Sequence, residues 1–208
     1  MITTIFIKKL NNTELGKGGT HDCYILVPVD LDLLDIFNAP DNEIDFEDKD
    51  SKQKYPIRLQ EYTNETRIPG FGNYYRDKSL EAGDEIVLRK VSNHGKVKFE
   101  LSVNKFENCI VLSKRKYGFI VLNENRIQLI DDSVMFNGER IELKFAERRK
   151  ARSDSPEETN YYNLLVGGMN IGNQYAHNDV IEIVVNGVDS YIARPCLWKK
   201  YIISSEDQ

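Results

Sequence analysis

Thr63, Asn64, Glu65, Thr66 and Arg67 follow one another just before Ile68-Pro69-Gly70, and all five side chains donate or accept hydrogen bonds. An arginine so placed can give two parallel bonds to guanine O6 and N7. An asparagine can pair with adenine, and a glutamate can accept from a cytosine amino group. Pro69 and the aromatic residues Phe71, Tyr74 and Tyr75 limit the freedom of this stretch. It therefore reads as a polar arm suited to base edges. The plainer reading is a solvated hairpin loop, because connections are polar in general. A second polar stretch, residues 11–22, carries Asn12, Lys17, Gly18, Gly19, Thr20 and His21. In it Asn12, Thr20 and His21 are candidates for base contacts. Lys17, Tyr74, Arg76 and Lys78 are candidates for phosphates, which set register without reading sequence.

Other chemistries find little support. His21, His94 and His177 show no metal-binding spacing, and Cys23, Cys109 and Cys196 form no CxxC, so no metal site is expected. The cysteines have apolar neighbours and read as buried thiols. His94 and His177 sit in turn-like sequences. There is no GxSxG, and no cysteine has a local histidine partner, which argues against nucleophilic catalysis. The Gly-Lys pair at 16–17 is followed by glycine, not by the Ser or Thr of a phosphate loop, and residues 167–172 lack the P-loop lysine. Glu142-Leu143-Lys144 resembles half of a PD-(D/E)xK nuclease site, but no convincing Pro-Asp precedes it. No catalytic residue and no cofactor are expected.

The net charge of −5 argues against nucleic-acid binding at first sight, since phosphate neutralisation supplies most non-specific affinity. The distribution softens that objection. Asp30, Asp32, Asp35, Asp41, Glu43, Asp45, Glu47, Asp48 and Asp50 crowd one stretch, while Lys17, Arg58, Arg67, Arg76 and Lys78 lie in and around the two arms. No run of about 18 apolar residues is present, so no membrane span is expected. Residues 1–4 do not resemble a secretory signal, and the cysteine usage fits a cytoplasmic location.

The elements that must position the arms are short and closely spaced, as in a mostly-β chain. Strands are expected at 2–10, 23–28, 43–48, 55–62, 72–76, 84–91 and 96–103. A short helix is expected at 31–38 and a helix or turn at 77–80. Gly83 should take a positive φ in the turn before 85–89. Strands continue at 109–112, 117–122, 126–130, 140–145, 161–166, 180–185 and 190–193. Asn137-Gly138 and Asn186-Gly187 read as two-residue hairpin turns. Residues 148–159 read as a mobile polar loop. Two regions follow: 1–103, and a β-rich extension or second small β domain over 104–208.

Residues 1–103 as a whole resemble the B3-type DNA-binding domain of plant transcription factors and of recognition modules in bacterial restriction enzymes. The features come in order. Ile5-Phe6-Ile7-Lys8-Lys9-Leu10 matches the first strand, residues 11–21 the Gly-containing arm, and Tyr24-Ile25-Leu26-Val27-Pro28 the strand-then-proline entry to a helix. Phe46-Glu47-Asp48-Lys49-Asp50 resembles the third strand and its turn, and Tyr55-Pro56-Ile57-Arg58-Leu59 the fourth. Residues 70–84 resemble the family's stretch of glycine, aromatic, basic residue, leucine and Gly-Asp, with Phe71 or Tyr74 in place of its usual tryptophan.

The resemblance implies a seven-stranded open pseudobarrel with short helices. It implies a sequence-specific reader of double-stranded DNA that grips the major groove with two arms. Among restriction enzymes the LlaJI-type relatives of McrBC are the first comparison. There the resemblance would imply GTP-dependent restriction by a larger protein or complex, with motor and nuclease outside these residues. The competing reading is an acidic β-rich protein-interaction or scaffold module without DNA binding. Salt separates the two: a DNA reader loses affinity steeply as salt rises.

Overall fold

The computed structural model describes residues 1–17, 22–150 and 158–205. The strands are β1 (Ile2–Lys9), β2 (Tyr24–Val27), β3 (Ile44–Asp48), β4 (Lys54–Ile57), β5 (Gln60–Glu61), β6 (Thr66–Pro69), β7 (Glu85–Asn93), β8 (Lys96–Asn104), β9 (Cys109–Arg115), β10 (Gly118–Val121), β11 (Met135–Phe136), β12 (Glu139–Lys150), β13 (Glu158–Val166), β14 (Met169–Asn170), β15 (Val180–Val184), β16 (Tyr191–Ala193) and β17 (Trp198–Ser204). Two short helices, α1 (Leu34–Phe37) and α2 (Gly72–Asp77), interrupt the first part. The chain is mostly β, with the pseudobarrel character expected of it.

The chain divides into two compact units, Met1–Lys105 with Cys196–Gln208, and Phe106–Pro195. In the first, a six-stranded sheet runs β17-β1-β7-β8-β3-β4 and a three-stranded sheet runs β2-β6-β5. β3 and β8 pair in parallel, and the other neighbours are antiparallel. Phe6, Phe46, Ile57, Leu88 and Leu101 from the large sheet are buried, as are Ile25 and Ile68 from the small one and Ile36, Phe37, Phe71 and Tyr74 from the helices and their ends. Two prolines fall within the strands of the first unit, at positions that limit the ladder bonds lost. Pro56 is on the edge strand β4, and Pro69 lies beyond the two residues of β6 that pair with β5.

Several expectations are corrected. Residues 72–77 form α2, not a strand. Phe71, Tyr74 and Tyr75 are buried together at helical spacing, so the 3–4 period prevails over the β preference of aromatic residues. Thr66 and Arg67 belong to β6 and not to a loop. The expected strand at 55–62 is broken into β4 and β5. β17 was not anticipated. It pairs along β1 from Ile2↔Ser204 to Lys8↔Trp198 and adds a strand that residues 1–103 alone do not contain. Gly83 takes φ +95, as its turn requires.

In the second unit the sheet runs β11-β12-β13-β10-β9-β15-β16, with β14 paired to β13, and its two ends β11 and β16 come back into contact. This nearly closed barrel encloses Ile110, Leu112, Phe119, Val121, Val134, Ile141, Leu164, Ile181 and Ile183. Asn137 and Gly138 both take positive φ and close the β11–β12 hairpin as a two-residue turn. At Asn186-Gly187 a 3-10 turn over Gly187–Asp189 replaces the two-residue turn that was expected. A 3-10 helix also replaces the strand expected at 126–130. The buried Asn123 amide bonds Val111 N and Cys109 O, both at 2.9 Å, and draws the chain out of the ladder. The ends of the polar segment 148–159 are strand, paired as far as Lys150↔Glu158. Residues 151–157 lie outside the described residues. Of the cysteines, Cys109 is buried, Cys23 half-buried and Cys196 exposed, so the expectation of a buried thiol fails at Cys196.

Candidate nucleic-acid interface

The three-stranded sheet of the first unit has one apolar face and one polar face. Alternation sends Ile25, Val27, Leu59 and Ile68 inward, where all are buried. The pairs Leu26↔Arg67 and Gln60↔Arg67 place Leu26, Gln60 and Arg67 side by side on the outer face. Arg58 and Tyr62 flank Gln60 at a spacing of two and are exposed.

These outer side chains form a connected group. The Arg67 guanidinium carbon lies 4.2 Å from the centroid of the Tyr24 ring and 5.4 Å from that of Tyr62. An Nη of Arg67 pairs with the Glu65 carboxylate, while Nε is buried without a hydrogen-bond partner among the described residues. With its amide oxygen turned toward Arg58, Gln60 accepts from Arg58 Nε at 3.1 Å and Nη2 at 2.9 Å, and donates to Tyr62 Oη at 3.0 Å. An arginine stacked on an aromatic ring and held by a carboxylate has already lost much of its rotamer freedom, so presenting it to a ligand costs less.

Both polar arms spring from this sheet. The second is the β5–β6 connection, closed by Tyr62 N–H donating to Glu65 O at 2.8 Å, with Thr63 and Asn64 exposed at its tip. The first arm leads into β2. It begins as a turn in which Glu14 N–H donates to Asn11 Oδ1 at 3.0 Å and Asn11 N–H donates to Glu14 Oε2 at 3.1 Å, a reciprocal capping box. The same Glu14 carboxylate, 1% exposed, accepts from Leu26 N–H at 2.9 Å and pairs with Lys8 Nζ at 2.8 Å. Burying this charge is tolerated because it is paired and hydrogen-bonded. One side chain thus ties the first arm to β1 and β2.

The candidates fall into three groups. Thr63, Asn64, Glu65, Thr66 and Arg67 are together on the β5–β6 hairpin. Asn12 is half-buried in the first arm with a buried Oδ1 that has no hydrogen-bond partner among the described residues, and Lys17 is exposed beside it. Thr20 and His21 lie outside the described residues. Arg76 is exposed on α2, bonded to Asn73.

One phosphate candidate, Tyr74, is corrected, and a second, Lys78, is paired within the unit. Tyr74 is fully buried, and its hydroxyl donates to Asp48 Oδ2 at 2.8 Å, so it has no surface to offer a phosphate. Lys78 is engaged by the same carboxylate, with Nζ 2.9 Å from Asp48 Oδ1 and 3.4 Å from Asp50 Oδ2. Burial alone would raise the Asp48 carboxyl. Hydrogen bonds from the Ser51 N–H, Lys78, Tyr74 and the Ser51 hydroxyl outweigh it and hold the group well below the usual carboxylate range. These residues anchor α2 to the β3 turn.

Sequence reasoning missed Tyr24, Arg58, Gln60 and Tyr62 as members of the site, and Glu14 as its anchor. The alternation Arg58-Leu59-Gln60-Glu61-Tyr62 carried the signal for the first group. Asn11 and Glu14, three apart, carried it for the anchor.

No protein-family model and no curated protein matches the chain. Solved structures similar to part of it include the following two. An Arabidopsis FUS3–DNA complex aligns with 17% identity over 48% of this chain and 94% of the other, at a TM-score of 0.34. The N-terminal domain of Helicobacter pylori LlaJI.R1 aligns with 16% identity over 49% of this chain and 81% of the other, also at 0.34.

Proposed function

We propose that this chain is a sequence-specific reader of double-stranded DNA. We further propose that it serves as the target-recognition part of a bacterial restriction system whose motor and nuclease lie elsewhere. The observation that carries the reading is the outer face of the small sheet, where Arg58, Gln60, Tyr62 and Arg67 form one linked group at the base of the β5–β6 hairpin. The groups on this face match the donor and acceptor code of the major groove.

In the proposed mechanism the residue 11–22 arm and the β5–β6 hairpin enter the groove from either side. Arg67 leaves Glu65 and bonds guanine O6 and N7. The freed Glu65 carboxylate then accepts from a cytosine amino group, so one ion pair in the free protein becomes two base contacts in the complex. Asn64 pairs with adenine, and Asn12, Thr20, His21, Thr63 and Thr66 supply further contacts. Lys17 and Arg76 hold phosphates and fix register.

Selection of bound duplexes from a random library tests the reading. Recovery of a defined motif, with affinity that falls as salt rises, supports it. Failure to enrich any motif, with salt-independent binding to protein partners instead, would select the scaffold alternative.

A further inference from the structure

The second unit carries a concentration of cations that the proposed reading does not use. It is organised by Gly118, whose φ is +144 and where a Cβ would lie 2.7 Å from Tyr162 O. Only glycine permits so close a passage of β10 against β13. The ring of the preceding Tyr117 meets that of Tyr161 edge-on, with centroids 5.8 Å apart. The Arg149 guanidinium carbon lies 3.7 Å from the Tyr117 centroid, and Lys116 Nζ lies 5.3 Å from it. On the same hairpin Arg148 is 63% exposed, and Lys144 and Lys150 are exposed. Glu147, 3.6 Å from Arg149, and Glu158, 3.3 Å from Arg148, offset part of this charge.

A guanidinium held over a tyrosine ring does not spend its N–H groups on the ring, and they can meet a phosphate as a fork. Among the described residues the open apolar ring of the patch is Tyr117, 40% exposed, and it is covered by a cation. The Tyr117 ring already has Arg149 stacked on it, and its neighbour Tyr161 is buried. Interfaces with nucleic acid are polar and strongly positive, while those with protein are apolar at their centre. A need for such a surface also exists. With Lys78 paired to Asp48, the first unit has one fewer unpaired cation for phosphate than its sequence suggests, in a chain of net charge −5.

We infer that the Lys116–Tyr117–Arg149 surface of the second unit binds the phosphate backbone of double-stranded DNA without regard to sequence. The inference rests on the proposed reading and gives the second unit the role of grip. The test uses the full chain, with Lys116→Ala and the double variant Lys116→Ala/Arg149→Gln, binding a preferred and a random duplex across a salt series. The slope of log affinity against log salt should fall by about 0.9 for each phosphate contact removed, so by about two units in the double variant. Affinity for the two duplexes should drop by the same factor. Lys116 is an exposed turn residue, so the single variant reports even if loss of Arg149 disturbs the hairpin. An unchanged slope in both variants, with wild type still binding DNA, overturns this inference alone. Wild type that binds no duplex overturns both readings. Loss of binding to polyglutamate with DNA binding intact would assign the patch to an acidic protein instead.

Discussion

The Arg67 guanidinium is stacked 4.2 Å from the centre of the Tyr24 ring, although the two residues belong to different strands and lie far apart in sequence. The pairing of Leu26 with Arg67 sets Tyr24 diagonally across from Arg67 on one face of the small sheet. A stacked position of this kind holds a planar cation in place in the absence of ligand. Tyr24→Leu should keep the strand pairing and cost Arg67 its support. The expected outcome is a loss of about 0.5–2 kcal/mol of binding, the span from an exposed to a desolvated cation–π contact, since Tyr24 is buried. Titration of the preferred duplex measures it, and an unchanged affinity would show that Tyr24 serves packing alone.

Glu14 should matter more than its neighbours in the first arm. It accepts from Leu26 N–H and Asn11 N–H and pairs with Lys8, all at 1% exposure. Glu14→Ala leaves a buried lysine without its carboxylate, a change that costs about 3–5 kcal/mol. Glu14→Gln keeps several hydrogen bonds and should cost less. Urea denaturation of the three proteins gives the ranking, and equal midpoints for wild type and Glu14→Ala would contradict it.

The Asp48 cluster predicts an acid-sensitive stability. The carboxyl is held well below its ordinary value in the folded chain. Its contribution is therefore fully present above the unfolded value of about 4 and is lost as pH falls toward the folded value. Asp48→Asn should be less stable near neutrality and should show a flatter loss of stability below about pH 4. Unfolding free energies measured through the acid range decide this. Parallel pH profiles for wild type and variant would remove Asp48 from the acid response.

Lys17 and Arg76, both exposed, are expected to hold phosphates. Replacing either with alanine should weaken binding to all sequences alike and flatten the salt slope by about one unit. A change in preference at a single base pair would instead make that residue a base reader.

The strand-rich architecture was legible because period-two runs such as residues 85–89 bury alternate or whole sets of side chains whatever their partners. The polar tip at Thr63 and Asn64 and the Asn137-Gly138 turn were legible for local reasons, in polar side chains and in residues that accept positive φ, whereas β6 was not. What escaped was set by distant partners. Trp198–Ser204 became β17 because β1 offers it an edge. Tyr74 looked like an exposed aromatic near basic residues, yet helix α2 turns it inward to Asp48, 26 residues earlier in the chain. Lys78 was legible as a cation but not as one already neutralised. Arg58 and Gln60 were legible as an alternating pair, but their link to Arg67 depends on β6 lying beside β5.

Arg67 carries the central claim. Binding of wild type, Arg67→Ala and Arg67→Lys to the selected duplex and to a one-base variant of it measures that claim most directly. A bidentate arginine–guanine contact contributes about 1–3 kcal/mol of discrimination. Arg67→Ala should therefore lose about one to two decades of affinity for the selected site and much less for the variant site. Arg67→Lys should keep the charge and lose most of the discrimination, because an ammonium lacks the planar fork. If all three proteins show the same ratio of affinities for the two duplexes, Arg67 is only the partner of Glu65 in a surface ion pair and reads no base.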